Sequence, residues 1–228
     1  MAHRKPIRPT VGHLSVNAAV HNVGVDLPLE LRAVGRDAVL AEVTDSAAAR
    51  SLASYARAAR VPAGEVVPGA RTVLFDAVSE PDALAALSAV LSGWSPDAEP
   101  EPGELVELAV TYDGADLEDV AARWGTDVDG VVARHGAVEF VSSFCGFAPG
   151  FAYLAGLPEE YAVPRLDTPR TRVPAGSVGL AGSWCGVYPS ASPGGWRLLG
   201  HTDARLWDPS RREPALLAPG TRVRFLAT

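Results

Sequence analysis

Lysine is all but missing from this chain of 228 residues, with Lys5 alone against nineteen arginines. No lysine in the body of the chain can form a Schiff base or complete a phosphate-binding P-loop. An anion must therefore be met by arginine forks and backbone N–H groups. Cysteine is scarce too. Cys145 and Cys185 are too few for a disulfide framework and lack metal-ligand spacing, so a reduced, cytoplasmic protein is expected. Three of the five histidines, His3, His13 and His21, fall in the first 27 residues at irregular spacing, and no metal site is expected. A net charge of -7 and a pI near 5.2 argue against coating nucleic acid or an anionic membrane.

No membrane span is expected either. Phe140–Pro158 and Val173–Trp196 carry no charge over 19 and 24 residues, but each is dense in glycine, proline and serine, which a lipid-spanning helix does not tolerate. What is present is enough apolar material for a core, 47% of the chain, which excludes disordered, collagenous and disulfide-scaffold classes.

Charge is unevenly placed. Residues 101–164 hold two basic against twelve acidic side chains, and residues 165–228 hold nine against four. An arginine-rich last quarter in an acidic protein suggests an anionic ligand. The alternative is that these arginines pair with the acidic third.

Residues 1–27 read as a disordered tail, with Arg4, Lys5 and Arg8 but no apolar stretch of signal-peptide strength after them. Leu29, Leu31 and Ala33, then Val39, Ala41 and Val43, alternate about Gly35-Arg36-Asp37 as a hairpin does. Thr44 to Ser46 offer a cap to a helix carrying Leu52, Tyr55, Ala56 and Ala59. Val73–Val78 reads as a strand, and Leu84, Leu87, Leu91 and Trp94 as a helix capped by Ser79. Strand, strand, helix, strand, helix over 28–95 fits a two-layer α+β domain. Residues 96–103, rich in proline and acid, read as a linker. From 104 to 228 a strand over Val106–Tyr112 leads to two short helices, one through Leu117 and Trp124, one capped by Thr126 and ending near His135. Short strands and turns without a long helix follow, which fits a closed barrel or a sandwich.

Three segments carry the chemistry. In the first, Gly146, Phe147, Pro149, Gly150, Phe151 and Tyr153 alternate backbone freedom with rigid apolar walls; a barrel corner with its aromatics packed inward is the plainer reading. In the second, Arg165, Arg170 and Arg172 lead through Pro174 into Gly176, Ser177, Gly179 and Gly182. Its spacing fits neither the dinucleotide fingerprint nor the P-loop, but forks beside a glycine loop with a free hydroxyl suit a carboxylate or phosphate. The third holds Tyr188, Gly194, Gly195 and Trp196, by itself a turn and a core tryptophan. His135 closes a helical apolar stripe and reads either as a core histidine or as a base.

Taken together, the motifs Gly146-Phe147-x-Pro149-Gly150-Phe151-x-Tyr153-Leu154, Arg170-x-Arg172-Val173-Pro174-Ala175-Gly176-Ser177-Val178-Gly179-x-Ala181-Gly182 and Ser192-Pro193-Gly194-Gly195-Trp196 resemble the family of 5-oxoprolinase B subunits. That family is also known as KipI or allophanate hydrolase subunit 1 and is related to the carboxyltransferase region of urea carboxylase. The resemblance covers roughly residues 28–228 and implies an α+β fold, with a small N-terminal α+β domain and a C-terminal cyclophilin-like β-barrel. It implies ATP, with Mg2+, as co-substrate and no prosthetic group. The C-type (KipA-like) and A-type subunits of 5-oxoprolinase are the implied partners for opening 5-oxoproline to glutamate, with the lone chain inactive. On this reading His135, Arg170, Arg172 and Ser177 are catalytic, and Arg165 and the aromatic and glycine residues of the motifs bind substrate or nucleotide. Two rival readings are an inhibitor of a sensor histidine kinase and a component of an allophanate or other urea-derivative amidohydrolase.

Overall fold

The computed structural model describes residues 29–78, 83–96 and 102–228. The expected tail at 1–27, the Ser79 cap and most of the expected linker lie outside the described residues.

The hairpin forms as the alternation predicts. Strand β1 (Glu30–Val34) turns at Gly35 and pairs antiparallel with β2 (Ala38–Glu42), Val34 facing Ala38. Helix α1 (Ser46–Ala58) follows, its N–H at Ala48 donating to Asp45 Oδ1 at 2.8 Å. Strands β3 (Glu65–Pro68) and β4 (Thr72–Asp76) complete a sheet of order β1-β2-β4-β3, and helix α2 (Ala83–Leu91) comes after it. β3 is absent from the sequence reading because four residues ending in proline carry too little alternation. As an edge strand it can accommodate Pro68, since one side of it needs no ladder donor. One face of the sheet packs on α1 and α2 around Val39, Ala41, Leu52, Phe75 and Leu87.

Next come β5 (Leu105–Val110), α3 (Leu117–Arg123), α4 (Val128–Ala137), β6 (Phe140–Cys145), β7 (Ala152–Ala155) and a 3-10 turn at Glu159–Tyr161. After them run β8 (Arg170–Val173), β9 (Ser177–Ala181), β10 (Trp184–Val187), β11 (Ser192–Gly194), β12 (Arg197–His201) and β13 (Arg222–Ala227). Asp127, rather than Thr126, caps α4, its Oδ1 accepting from Gly130 N–H at 2.8 Å. Seven strands form one sheet in the order β12-β9-β10-β7-β6-β13-β5, with β13 and β5 parallel. Its two ends meet. Thr111, just past β5, exchanges both backbone hydrogen bonds with His201 of β12 at 3.0 and 2.9 Å, leaving a nearly closed, barrel-like sheet.

Side chains alternate across this sheet. Val178, Leu180, Leu154, Cys185 and Val187 point to an interior core that α3 and α4 share. Tyr153, Ala181 and Trp184 point outward to a second core, covered by the two-stranded ribbon of β8 and β11. That double cover explains the long uncharged stretches. All five residues of β9 are buried, so neither face has room for a charge. No helix among the described residues is long and apolar enough to cross a membrane.

Candidate functional site

The motifs converge on the outer face of the barrel, under the ribbon. Phe144 stacks on Tyr153 with ring centroids 4.4 Å apart, and Trp184 meets Phe144 edge-on. Phe151 makes T-shaped contacts with Tyr153, Tyr188 and Trp196 at 5.2, 5.4 and 5.3 Å. Gly194 is required here by close approach: a Cβ there would lie 2.4 Å from Tyr188 Oη. Burial pushes the Tyr188 hydroxyl up from its ordinary pKa, against the pull of a hydrogen bond from the Trp196 backbone and the charges of Arg165 and Arg170.

Around this tier stand the loops. Gly146, Phe147, Pro149 and Gly150 join β6 to β7, where Phe147 is 61% exposed and holds a positive φ of 67°, a conformation that costs a side chain about 1 kcal/mol or more. Arg165 precedes β8, which carries Arg170 and Arg172. Pro174 and Gly176 turn the chain into β9, which begins at Ser177 and includes Gly179, and Gly182 turns it into β10. Ser177 is buried, and its carbonyl accepts from Tyr188 N–H at 2.9 Å. Gly195 binds Leu166 through its carbonyl, fastening the approach to β8.

The last quarter's arginines divide. Arg170 pairs with Asp116 at 2.8 Å, Arg197 with Asp119 at 2.6 Å, and Arg222 and Arg224 both pair with Glu139. Those four do what the pairing alternative predicts. Arg205 and Arg211 flank Asp208. Arg165 and Arg172 are exposed and form no ion pair among the described residues, and Arg165 is close enough to act on the Tyr188 hydroxyl. Arg165 is thus an unpaired cation at the aromatic tier, beside an Arg170 already tied to a carboxylate, and Arg172 is exposed two residues along β8 from Arg170.

The structure does not bring His135 to this face. It is fully buried in the barrel interior, its Nδ1 2.7 Å from Tyr112 Oη and its Nε2 3.4 Å from Cys185 Sγ, with the Phe225 ring 4.7 Å away. Cys185 points inward while its neighbour Trp184 belongs to the outer tier, so the sheet itself stands between His135 and the arginines. Burial pulls the His135 pKa down to about 3 and raises the Cys185 thiol well above its ordinary value. Both are neutral.

Three residues at the site are not singled out by the sequence: Asp116, Asp119 and Trp184. Phe144 lies within the aromatic-glycine run and is legible there. The aspartates are not, because their partners lie far along the chain. Among the described residues no group of three His, Cys, Asp or Glu side chains is placed to hold a metal ion.

An α+β unit beside a nearly closed barrel-like sheet is the architecture of the carboxyltransferase class. Residues 29–217 match the family described as carboxyltransferase domain, subdomain C and D. The 5-oxoprolinase B subunit of Escherichia coli O157:H7 is 45% identical over 168 residues, 71% of this chain and 77% of that one. A crystal structure of TTHA0988 superposes with a TM-score of 0.71 at 34% identity, covering 85% of this chain but only 40% of that one. Kluyveromyces lactis urea carboxylase shares the fold alone, at 18% identity and a TM-score of 0.63 over 88% of this chain and 22% of that one. The chain belongs to the carboxyltransferase subdomain C and D family, in the branch of the 5-oxoprolinase B subunits.

Proposed function

We propose that this chain is the B component of an ATP-dependent 5-oxoprolinase, which with the A-type and C-type subunits converts 5-oxoproline, ATP and two waters to glutamate, ADP and phosphate. The observation that carries the reading is an unneutralised arginine, Arg165, beside a buried aromatic cluster and close enough to act on the Tyr188 hydroxyl, with a second, Arg172, exposed on β8. The resemblance to the Escherichia coli protein supports it. In this reading residues 28–95 and 104–228 are the two units, joined through 96–103, and the chain works in the cytoplasm, where ATP is plentiful.

Each residue type has a task. Arg165 and Arg172 hold the anionic group of the substrate, a carboxylate or a transferring phosphoryl group, by charge-assisted hydrogen bonds. Arg170 presents a guanidinium whose orientation is already fixed. The Ser177 hydroxyl donates to oxygen where negative charge develops, while the N–H groups of Gly176, Ser177 and Gly182 are taken up by the Tyr188, Pro174 and Val163 carbonyls and hold the loop in shape. The aromatic tier walls the ring from water, which strengthens each of these interactions. The described residues supply no metal cluster, so Mg2+ is assigned to the nucleotide and the partner subunits, and no step here is routed through it. His135, on the inner face of the sheet, braces the barrel.

The test is 5-oxoproline-dependent phosphate release by the complex reconstituted with its A-type and C-type partners. The isolated chain is expected to release none. Arg165→Ala and Arg172→Ala are each expected to lower kcat/KM about tenfold or more, without loss of folding, since neither arginine is paired. Full activity in both variants would overturn the anion-site reading.

A further inference from the structure

Asp116 is 7% exposed and lies outside every motif of the sequence. It occupies the N-cap position of α3, where an aspartate ordinarily accepts from a backbone N–H two or three residues on. It makes no such bond. Its Oδ1 instead accepts from Arg170 Nη2 at 2.8 Å and its Oδ2 from Leu198 N–H at 2.7 Å. A second nitrogen of the same guanidinium, Nη1, donates to the Trp196 carbonyl at 3.4 Å. One carboxylate thus ties the ribbon, through β8, to β12 near the seam of the barrel. The backbones add to the tie, Asp116 N–H donating to Leu198 O at 3.1 Å.

We infer that Asp116 is the positioning residue of Arg170, giving up its capping bond to hold that guanidinium in one orientation beside the aromatic tier. Asp116 itself touches no substrate. The inference rests on the anion-binding reading above. A half-exposed arginine without this partner has a long, freely rotating side chain, and ordering it on substrate binding weakens the complex. Pairing also sets Arg170 apart from Arg165 and Arg172. Asp116 cancels much of its attraction for an anion while fixing its direction, so Arg170 contributes geometry and the other two contribute charge.

The test is a double-mutant cycle in the reconstituted complex with Asp116→Asn, Arg170→Ala and both together. Asparagine keeps the size and an acceptor for Leu198 N–H but removes the charge that holds Arg170. The expected result is a rise of about tenfold in the KM for 5-oxoproline for either single variant, with the KM for ATP unchanged. Adding Asp116→Asn to Arg170→Ala then raises the KM by less than about twofold. Copurification with the partner subunits and the thermal midpoint of each variant establish that it folds. Two results overturn the inference alone: a KM raised by Arg170→Ala but unmoved by Asp116→Asn, or an Asp116→Asn effect that is the same in both backgrounds and follows the thermal midpoint. A KM and kcat unmoved by Arg170→Ala overturn both the inference and Arg170's part in the proposed site.

Discussion

His135 shows how much a single residue's role depends on which face of a sheet it occupies. In sequence it stands at the end of a helical stripe, eleven positions before the aromatic-glycine motif, and both a core and a catalytic role fit that position. In the fold it is enclosed by Phe140, Phe225, Tyr112 and Cys185. Its neutral ring has one N–H and one lone pair, and Tyr112 and Cys185 supply a partner for each. The energetic consequence is a pH dependence with a definite sign. The folded pKa of about 3 lies below the ordinary 6.5, so below pH 6.5 the unfolded chain takes up a proton that the folded chain refuses. The stability due to this residue is complete above that pH and is lost as pH falls toward about 3. His135→Gln is therefore expected to flatten the dependence of the unfolding free energy on pH, between about pH 5 and about pH 6, by up to about 1.4 kcal/mol per pH unit. Denaturant titration at several pH values checks this. An unchanged slope would mean that His135 is protonated in the fold.

At the scale of elements, periodicity foretold the hairpin, both helices of the first unit and the two short helices of the second, because each presents one apolar face to one core. It failed for β9, whose two faces are both buried: alternation cannot be seen where no side is polar. It also could not show which strands meet. The pairing of β13 with β5 joins residues more than a hundred positions apart, and the seam between Thr111 and His201 depends on a glycine. A Cβ at Gly200 would lie 2.1 Å from the Thr111 carbonyl oxygen and 2.9 Å from Tyr112 Cα. Both atoms are backbone and cannot rotate away. Gly200→Ala is expected to destabilise the chain by at least about 2 kcal/mol, with hydrogen exchange fastest at Thr111 and His201. An unchanged thermal midpoint would show that the seam is not a stability determinant.

For the whole molecule, the total charge of -7 predicts repulsion of an anionic substrate, yet the local arrangement predicts attraction. Pairing resolves the conflict by consuming most of the arginine block and leaving Arg165, beside Tyr188, and Arg172, on β8, without an ion pair among the described residues. Attraction by exposed charges is screened within about 8 Å at physiological salt and about 3 Å at 1 M. The KM for 5-oxoproline is therefore expected to rise several-fold between about 0.05 M and about 0.5 M KCl, and this dependence is expected to flatten in the Arg165→Ala, Arg172→Ala double variant. A dependence of the same steepness in that variant would place the anion elsewhere.

By itself the sequence determined the family, the mixed α+β class, most of the helices and the aromatic, glycine and arginine motifs that gather under the ribbon. These are local properties, carried by the period of apolar residues and by runs of residue types a few positions long. Which arginines are free and which are paired, and which face of the barrel His135 looks into, were decided by tertiary structure alone. So was the role of Asp116, a helix cap by position and an arginine's partner in fact. An ion pair across 54 residues leaves no periodic trace, and the side of a sheet that faces the core is fixed only when the sheet closes.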